Sequence, residues 1–583
     1  MFSQILLLGV LALLAFAKAQ EDLPQLKLSW GTWQATIHPE DSEIYIFRNV
    51  RFGAEPERFG APAYPQWRND SIQEDSRNIC CKQVHTGSLS HPPGGRNRPG
   101  DPRDEDIFED EDCLFLDIYA PVSAFQPGVE PLPVVVWIYG GAYAFGSKNP
   151  VGPLNTGRSM LRASEYGVIF VAGNYRLGAF GWLSGSYMQE HGQPNAGLYD
   201  QALLLQWVQD NIGTIGGDKN QVSAWGESAG AGSILHHLVR EDGERDPLFN
   251  TFVAQSPAFE WAWDNKPDGQ LDAVYKNFSE LAGCGCAYDI DCLRATSVEK
   301  LTEANQNLFK TIAQTGLFPI GPAVDGKWIR TIPTVAFSEG KFWNRTNSAI
   351  ISHCANETGP LAPPNVDDPD TFNAFLKRLL PDLQVDEVNQ QYDCAESFEG
   401  DYRTCIQTVI RDVAFTCNTR DLFEAYSNKS YMMKYAYPWD EFAFHSTDLY
   451  PLFMNNVTEI KDILVKGGMP EGNATIYAEG LKLLVKSTYQ KYFASFALSG
   501  DPNTLDPLHK WETAVGNNDK LSNVMQVEVK LPIFNNNATD DQNGRDACSF
   551  WTKIAKELTS PEKGHTGVKG TFQSQLLGGP NEL

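Results

Sequence analysis

The chain has 583 residues, 42% of them hydrophobic, which is enough for a large buried core and excludes a small disulfide-stapled module. Its formal net charge of −26 at pH 7 argues against nucleic-acid binding, because phosphate backbones attract basic surfaces. The eleven cysteines indicate a disulfide set with at least one thiol left over. The cysteine-rich stretch "AGCGCAYDIDCLR" has no nearby histidine and favours a small disulfide loop over a zinc site, so neither a metal nor a cofactor is predicted.

Residues 1–19 are predicted to be a secretory signal peptide. The apolar stretch from Ile5 to Ala17 is too short to span a bilayer, and Ala17-Lys18-Ala19 fits a signal-peptidase site. An uncleaved anchor is the alternative. Because no later stretch suits a membrane helix or a lipid-anchor signal, we expect a secreted, extracellular protein without stable membrane anchoring. Eight N-x-S/T sequons predict N-glycans, at Asn69, Asn277, Asn344, Asn356, Asn428, Asn456, Asn473 and Asn537.

The elements that follow in chain order alternate between buried strands and helices. The apolar segments predicted to be strands are "LPVVVWIYGG", "EYGVIFVAGNYRLG", "QVSAW", "NSAIISH" and "SYMMKYAYPW". A helix is predicted over 197–213, where apolar residues recur at helical spacing before Gly213. This alternation predicts an α/β fold with a mostly parallel sheet. We expect one domain over 20–560 and a loose tail over 561–583.

The segment "QVSAWGESAGAGSIL" contains the pattern G-x-S-x-G, centred on Ser228. A predicted strand ends just before it, and a helix is predicted from Ala229 to Val239. Such a sharp strand-to-helix turn exposes the central serine hydroxyl, and the flanking glycines allow the backbones to approach closely. Ser228 is therefore predicted to be a nucleophile, although a chance match to a short pattern of common residues is the alternative.

A serine nucleophile needs a base, which a carboxylate orients, and on this type of turn the chain order is serine, acid, histidine. That order leaves His445, His509 and His565. His445 is favoured because it follows the predicted strand "SYMMKYAYPW", whereas His509 resembles a surface-turn residue and His565 lies in the loose tail. Glu357 follows the predicted strand "NSAIISH" and is the favoured acid, whereas Asp325 precedes a glycine and reads better as a turn residue.

Glu357 lies inside the Asn356 sequon, so a buried acid at this position predicts that Asn356 carries no glycan. The negative oxygen that forms during acyl transfer needs backbone N–H donors. Gly141 and Ala142, in the glycine-rich turn after the strand "LPVVVWIYGG", and Ala229, directly after the serine, are the predicted donors.

Taken together, these motifs resemble the type-B carboxylesterase and lipase family, which includes cholinesterases and secreted fungal lipases. The matching segments follow one order along the chain, from about residue 30 to 555: "EDEDCLFLDIYAP", "VVVWIYGGAYAFGS", "NAGLYDQALLLQWVQDNIGTIGGDKNQVSAWGESAGAGSI", "IISHCANETG", "FHSTDL" and "DACSFW". The resemblance implies an α/β-hydrolase fold with helical excursions, a triad of Ser228, Glu357 and His445, and the three N–H donors named above.

The resemblance also implies the disulfides Cys81–Cys113, Cys284–Cys292 and Cys417–Cys548. Proximity in sequence alone suggests Cys394–Cys405, and Cys80, Cys286 and Cys354 are left unplaced. Trp263 falls where cholinesterases place a pocket aromatic residue, with Trp261 close by, and core packing is an equal alternative for both. The segment 85–112 contains no tryptophan and is polar and acidic, which argues against a choline site and against sharp activation at an oil–water interface.

The sequence thus predicts a secreted serine esterase that hydrolyses small to medium carboxylic esters through an acyl-enzyme. A lipase or sterol esterase of the same family is the first alternative. The second is a non-catalytic, cholinesterase-like binding or adhesion protein; the presence of all three triad side chains argues against it.

Overall fold

A large mixed sheet with helices on its faces organises the chain in the computed structural model. The structure describes residues 23–74, 77–85, 107–148, 156–313, 320–359, 361–363, 365–454, 457–466, 469–505, 509–517 and 519–559. The predicted signal peptide, the predicted tail and most of the polar segment 85–112 lie outside these ranges, so the expectations about them stay predictions.

Seventeen strands occur in the described residues: β1 (Gln25–Leu28), β2 (Gly31–Gln34), β3 (Thr36–His38), β4 (Asp41–Arg51), β5 (Ile72–Gln73), β6 (Asn78–Cys81), β7 (Ile107–Asp110), β8 (Phe115–Pro121), β9 (Leu132–Ile138), β10 (Ile169–Gly173), β11 (Gly217–Glu227), β12 (Thr251–Gln255), β13 (Ser348–Cys354), β14 (Ser430–Tyr435), β15 (Val515–Asn517), β16 (Lys520–Val527) and β17 (Phe534–Asp540).

The α-helices of the described residues are Arg158–Ala163, Gly178–Trp182, Ser186–His191, Ala196–Asn211, Ala229–Leu238, Gln270–Leu281, Ile290–Ala295, Val298–Ala313, Pro333–Ser338, Pro369–Leu379, Asp382–Tyr392, Tyr402–Arg411, Cys417–Ala425, Leu449–Phe453, Val457–Lys466, Glu471–Gly480, Lys486–Ser499 and Arg545–Thr559. Two π-helical turns, Asp412–Thr416 and Leu481–Val485, interrupt this set.

The main sheet has the strand order β15-β16-β14-β13-β12-β11-β9-β10-β8-β4-β3, and β17 pairs with β16 at one edge. The seven strands from β16 to β10 in this order are parallel to their neighbours, and the strands beyond them pair antiparallel. Each of the five predicted strands is present, and the structure confirms the α/β-hydrolase type of sheet.

The central strands are apolar throughout because helices cover both faces of the sheet. In β9, for example, every side chain from Val134 to Ile138 is at most 1% exposed. Since parallel strands all end at the same edge, the loops after β9, β11, β13 and β14 meet there. These four loops carry the side chains and N–H groups that the sequence singled out.

Candidate active site

Ser228 lies at a sharp turn between β11 and the helix Ala229–Leu238. Its backbone angles, φ 57° and ψ −127°, are strained for a residue with a side chain. The neighbouring glycines make this turn possible, because a Cβ on Gly230 would lie 2.0 Å from the carbonyl oxygen of Ile138. A Cβ on Gly226 would lie 2.6 Å from the backbone carbon of Gly230. The turn therefore depends on glycine at both positions of the G-x-S-x-G pattern.

The structure brings together the three side chains that the sequence predicted to act as a unit. The Nε2 atom of His445 lies 2.8 Å from the Ser228 hydroxyl oxygen, and its Nδ1 atom lies 2.6 Å from a carboxylate oxygen of Glu357. Glu357 is fully buried, and its other oxygen accepts a hydrogen bond of 2.6 Å from the backbone N–H of Cys354. Ser228 is 8% exposed. This geometry allows a proton to pass from the hydroxyl to the imidazole.

The charges around the imidazole favour its protonated form. Burial opposes a charged ring, but the carboxylates of Glu227 and Glu357 outweigh it and raise the pKa of His445 above its ordinary value. Burial would raise the pKa of Glu357 as well, yet the charge of His445 and the hydrogen bond from it hold that pKa below its ordinary value. The pair is therefore arranged to stabilise an imidazolium beside a carboxylate.

Two further buried acids lie near the imidazole, and the sequence reasoning missed both. A carboxylate oxygen of Glu227 lies 3.3 Å from the Nε2 atom of His445 and accepts a hydrogen bond from the Ser446 hydroxyl. Asp448 accepts a hydrogen bond of 2.7 Å from the Gln255 amide. Burial raises the pKa of Glu227 to about 7 and that of Asp448 to about 6. The available signal was proximity in sequence, since Glu227 precedes the serine and Asp448 follows the histidine by three positions.

The predicted oxyanion turn follows β9 and borders the nucleophile. Three successive residues have positive φ angles: 109° at Gly141, 52° at Ala142 and 59° at Tyr143. A Cβ on Gly140, the residue before them, would lie 2.8 Å from the Cβ of Ser228, so the turn and the serine are in close contact. The third predicted donor, the N–H of Ala229, opens a helix, where backbone N–H groups have no intrahelical acceptor.

A buried tyrosine links the oxyanion turn to the serine. The Tyr143 hydroxyl donates to the carbonyl oxygen of Ala258 at 3.1 Å, and the N–H of Ala258 donates to the carbonyl oxygen of Ser228 at the same distance. Tyr143 also packs against Trp182, with ring centroids 4.7 Å apart. These contacts hold Tyr143, the last of the three residues with positive φ, in place beside Ser228.

The two tryptophans and the rival acid named in the sequence analysis make packing or turn contacts. Trp261 packs edge-on against Trp551, with ring centroids 5.7 Å apart. Trp261 and Trp263 both pack against the buried hydrophobic cluster that contains Trp551, which fits the core-packing alternative. The rival acid Asp325 accepts hydrogen bonds from the N–H groups of Lys327 and Ile329, and is thus a turn residue.

Four disulfides connect the chain, and they are the four that the sequence analysis named: Cys81–Cys113, Cys284–Cys292, Cys394–Cys405 and Cys417–Cys548. The thiols of Cys80 and Cys354 are free and buried, whereas that of Cys286 is free and exposed. Within the described residues, no helix has the length and apolar character needed to cross a bilayer.

A serine on a strained strand-to-helix turn, with an acid and a histidine following it at the carboxyl edge of a parallel sheet, defines the class of α/β-hydrolases. Comparison with known proteins gives the family. The model of the carboxylesterase family matches residues 23–551, so the chain belongs to this family and is a carboxylic ester hydrolase.

Two curated relatives and one solved structure illustrate the similarity. The chain is 32% identical over 576 residues to a secreted lipase of Arthroderma benhamiae, covering 96% of this chain and 98% of the relative. It is 31% identical to carboxylesterase patB of Penicillium expansum, covering 91% and 96%. The crystal structure of Aspergillus niger EstA superimposes with a TM-score of 0.71 at 22% identity, covering 93% of this chain and 99% of that one.

Proposed function

We propose that this protein is a secreted serine esterase in which Ser228, His445 and Glu357 form the catalytic triad. The observation that carries the proposal is the 2.8 Å distance between the His445 ring and the Ser228 hydroxyl, combined with the 2.6 Å contact to Glu357. His445 removes the serine proton as the hydroxyl oxygen attacks the ester carbonyl, and Glu357 stabilises the resulting imidazolium.

The negative oxygen of the tetrahedral intermediate then accepts hydrogen bonds from the N–H groups of Gly141, Ala142 and Ala229. A donor of this kind typically contributes about 3 kcal/mol to the transition state. The imidazolium returns its proton to the departing alcohol, which leaves an acyl group on Ser228. The same imidazole takes a proton from a water molecule as the water oxygen attacks the acyl carbonyl. The bond to the Ser228 oxygen then breaks, the imidazolium returns its proton to that oxygen, and the carboxylic acid leaves.

Secretion is supported by the predicted signal peptide, by four disulfides, and by similarity to a relative described as a secreted lipase. N-glycans on the exposed sequons are part of the same proposal. The lipase relative also supports a second candidate, hydrolysis of long-chain or sterol esters, through the same triad.

Replacement of the nucleophile tests the proposal. Ser228→Ala is expected to lower kcat/KM for a short-chain p-nitrophenyl ester by at least ~10⁴-fold, with an unchanged melting temperature. A fluorescent organophosphate should label the native chain and not this variant. Retention of ester hydrolysis or of labelling by Ser228→Ala would refute the assignment.

A panel of esters distinguishes the two substrate classes. Esters graded in acyl length and alcohol size, measured below and above their solubility limits, separate an esterase from a lipase. We expect the highest kcat/KM for short acyl chains and no sharp rise in rate above the solubility limit. A strong preference for emulsified long-chain or sterol esters would favour the second candidate.

A further inference from the structure

The acid and the base of the proposed triad lie on two different loops, and Asn356 contacts both. Glu357 and His445 are 88 positions apart in sequence, on the loops that follow β13 and β14. We propose that Asn356 is a positioning residue whose amide clamps these two loops together and is therefore not glycosylated in the active protein. This inference rests on the proposed function.

The backbones of the two loops are already paired beside Asn356. Its N–H donates to the carbonyl oxygen of Ala443 at 3.0 Å, and a parallel bridge joins Asn356 to Phe444, the residue before His445. Any residue with a backbone N–H could form this contact. The choice of an asparagine must therefore be explained by its side chain.

The side-chain amide of Asn356 makes one hydrogen bond to each loop. Its Oδ1 accepts from the N–H of Gly359 at 3.0 Å, which closes a turn around Glu357. Its Nδ2 donates to the carbonyl oxygen of Glu441, four residues before His445, at 3.2 Å. The partners fix the orientation of the amide, because only the oxygen can accept from an N–H and only the nitrogen can donate to a carbonyl.

Few other side chains could replace this amide. A carboxylate of the same length could accept from Gly359 but could not donate to Glu441, and alanine could do neither. Glycine at position 359 is part of the arrangement, because a Cβ there would lie 2.6 Å from Oδ1 of Asn356. The clamp thus needs both Asn356 and Gly359.

The clamp matters because Glu357 is fixed to the end of β13, just before its own loop. One carboxylate oxygen is held by the N–H of Cys354, so the 2.6 Å contact between the other oxygen and His445 depends on how the two loops are placed. Hydrogen bonds weaken steeply when distance and angle deviate from their optimum. Loosening the loops therefore weakens the support that Glu357 gives to the imidazole.

The same contacts explain why this sequon should remain empty. Asn356, Glu357 and Thr358 form an N-x-T sequon, yet Asn356 is half-buried and its Nδ2 faces the other loop. A glycan on Nδ2 would insert a bulky group between the two loops. By contrast, Asn428 and Asn473 are exposed.

The experiment compares two variants that break the clamp with one that spares it. Asn356→Ala removes both amide contacts, and Gly359→Ala displaces the amide by steric overlap. Thr358→Val is the matched control: it also destroys the sequon and removes a part-buried hydrogen bond to the Gln407 carbonyl, but leaves the amide of Asn356 intact. Each purified variant is assayed for kcat, KM, pH profile and melting temperature.

We expect Asn356→Ala and Gly359→Ala to lower kcat by about tenfold or more with KM changed less than twofold. The acid limb of kcat/KM should move to lower pH. Among the groups facing His445, Glu227 and Asp448 are unchanged, but weaker support from Glu357 lowers the pKa of the imidazole. If Asn356 only supported the fold, its replacement would lower activity without moving the acid limb of kcat/KM. No larger effect than this is expected for Thr358→Val.

The clamp proposal would be overturned if Asn356→Ala and Gly359→Ala kept the kcat and the acid limb of the native protein. It would also be overturned if Thr358→Val showed the same kcat and pH profile as these two variants. Glycopeptide mapping of the native protein should find Asn356 unoccupied, and full occupancy there would also overturn it. An error in the triad assignment would be recognised separately, because only then would Ser228→Ala retain activity.

Discussion

Two histidine–carboxylate pairs lie close to β13: His353 belongs to this strand, and Glu357, the partner of His445, follows it. The Nε2 atom of His353 lies 2.8 Å from Asp540, and the Nδ1 atom of His445 lies 2.6 Å from Glu357. The side chains of His353 and Asp540 are 0% and 1% exposed, whereas that of His445 is 12% exposed. The two pairs are similar in chemistry and in distance.

The difference lies in the second ring nitrogen of each histidine. The Nδ1 atom of His353 faces the carbonyl oxygen of Cys354 at 3.0 Å, so both of its ring nitrogens face acceptors and both must carry hydrogen. Its pKa is raised because, although burial opposes the charge, Asp540 outweighs it. His445 instead turns its second nitrogen to a hydroxyl that can give up a proton. In the proposed mechanism, the partner of the second ring nitrogen, and not the ion pair itself, distinguishes His445 from His353.

The largest effect is expected when the base itself is removed. His445→Gln should lower kcat/KM for a short-chain ester by at least ~10⁴-fold, because it removes the imidazole nitrogen that lies 2.8 Å from the Ser228 hydroxyl. Some stability should be lost as well, because the fully buried Glu357 carboxylate loses the charge of His445. Steady-state kinetics with calorimetry on the same sample checks both parts; a variant that retains more than a hundredth of native activity contradicts the assignment.

Lost stability with retained chemistry is expected for the fully buried pair of His353 and Asp540. Asp540→Asn leaves the His353 cation buried without its counter-charge and should cost about 3–5 kcal/mol of unfolding free energy. Urea unfolding measures this cost, and the folded fraction should keep its kcat. A variant as stable as the native protein but poorly active would reverse the roles of the two pairs.

The pH dependence of that cost follows from the two pKa shifts. The pKa of Asp540 is lowered to about 2, because the attraction of His353 outweighs the opposing effect of burial. The stabilisation from Asp540 is therefore present above the ordinary pKa of 3.8 and is lost as pH falls towards 2. The pKa of His353 is raised, so its stabilisation is complete below 6.5 and is lost as pH rises through the folded value. The difference between Asp540→Asn and the native protein should therefore be largest between pH 4 and 6.5.

The smallest effect is expected for Glu227, the second carboxylate close to the His445 ring. Glu227→Gln removes one of the carboxylates that raise the pKa of His445, so the neutral base forms at lower pH. The acid limb of kcat/KM should move down by about one pH unit. Measurement of kcat/KM from pH 4 to 10 checks this shift, and an unmoved limb would show that Glu227 has no influence on the base.

The sequence predicted the central part of this fold because its physical signals there are local. Continuous apolar runs identified β9, β10, β11, β13 and β14, and the glycines around Ser228 identified the turn. Chain order then selected His445 over other histidines, and a following glycine demoted Asp325. These inferences needed only spacing and residue type.

The edges of the sheet and the surroundings of the triad depend on contacts that are distant in sequence. β17 reads "FNNNATD", with three asparagines, and forms a strand because it pairs with β16. Nothing in the sequence around His353 shows that it meets Asp540, 187 positions later. The side-chain direction of Glu227 is likewise set by the turn and by Ser446.

The disulfide Cys417–Cys548 joins two residues 131 positions apart, and the ring that it closes includes His445. A protease that cuts the backbone once anywhere inside this ring yields two fragments that stay covalently joined. The segment bearing the imidazole therefore remains tethered to the segment bearing the serine. Nicked molecules should run at full size on a gel without reductant and separate only when the sulfur bridge is broken.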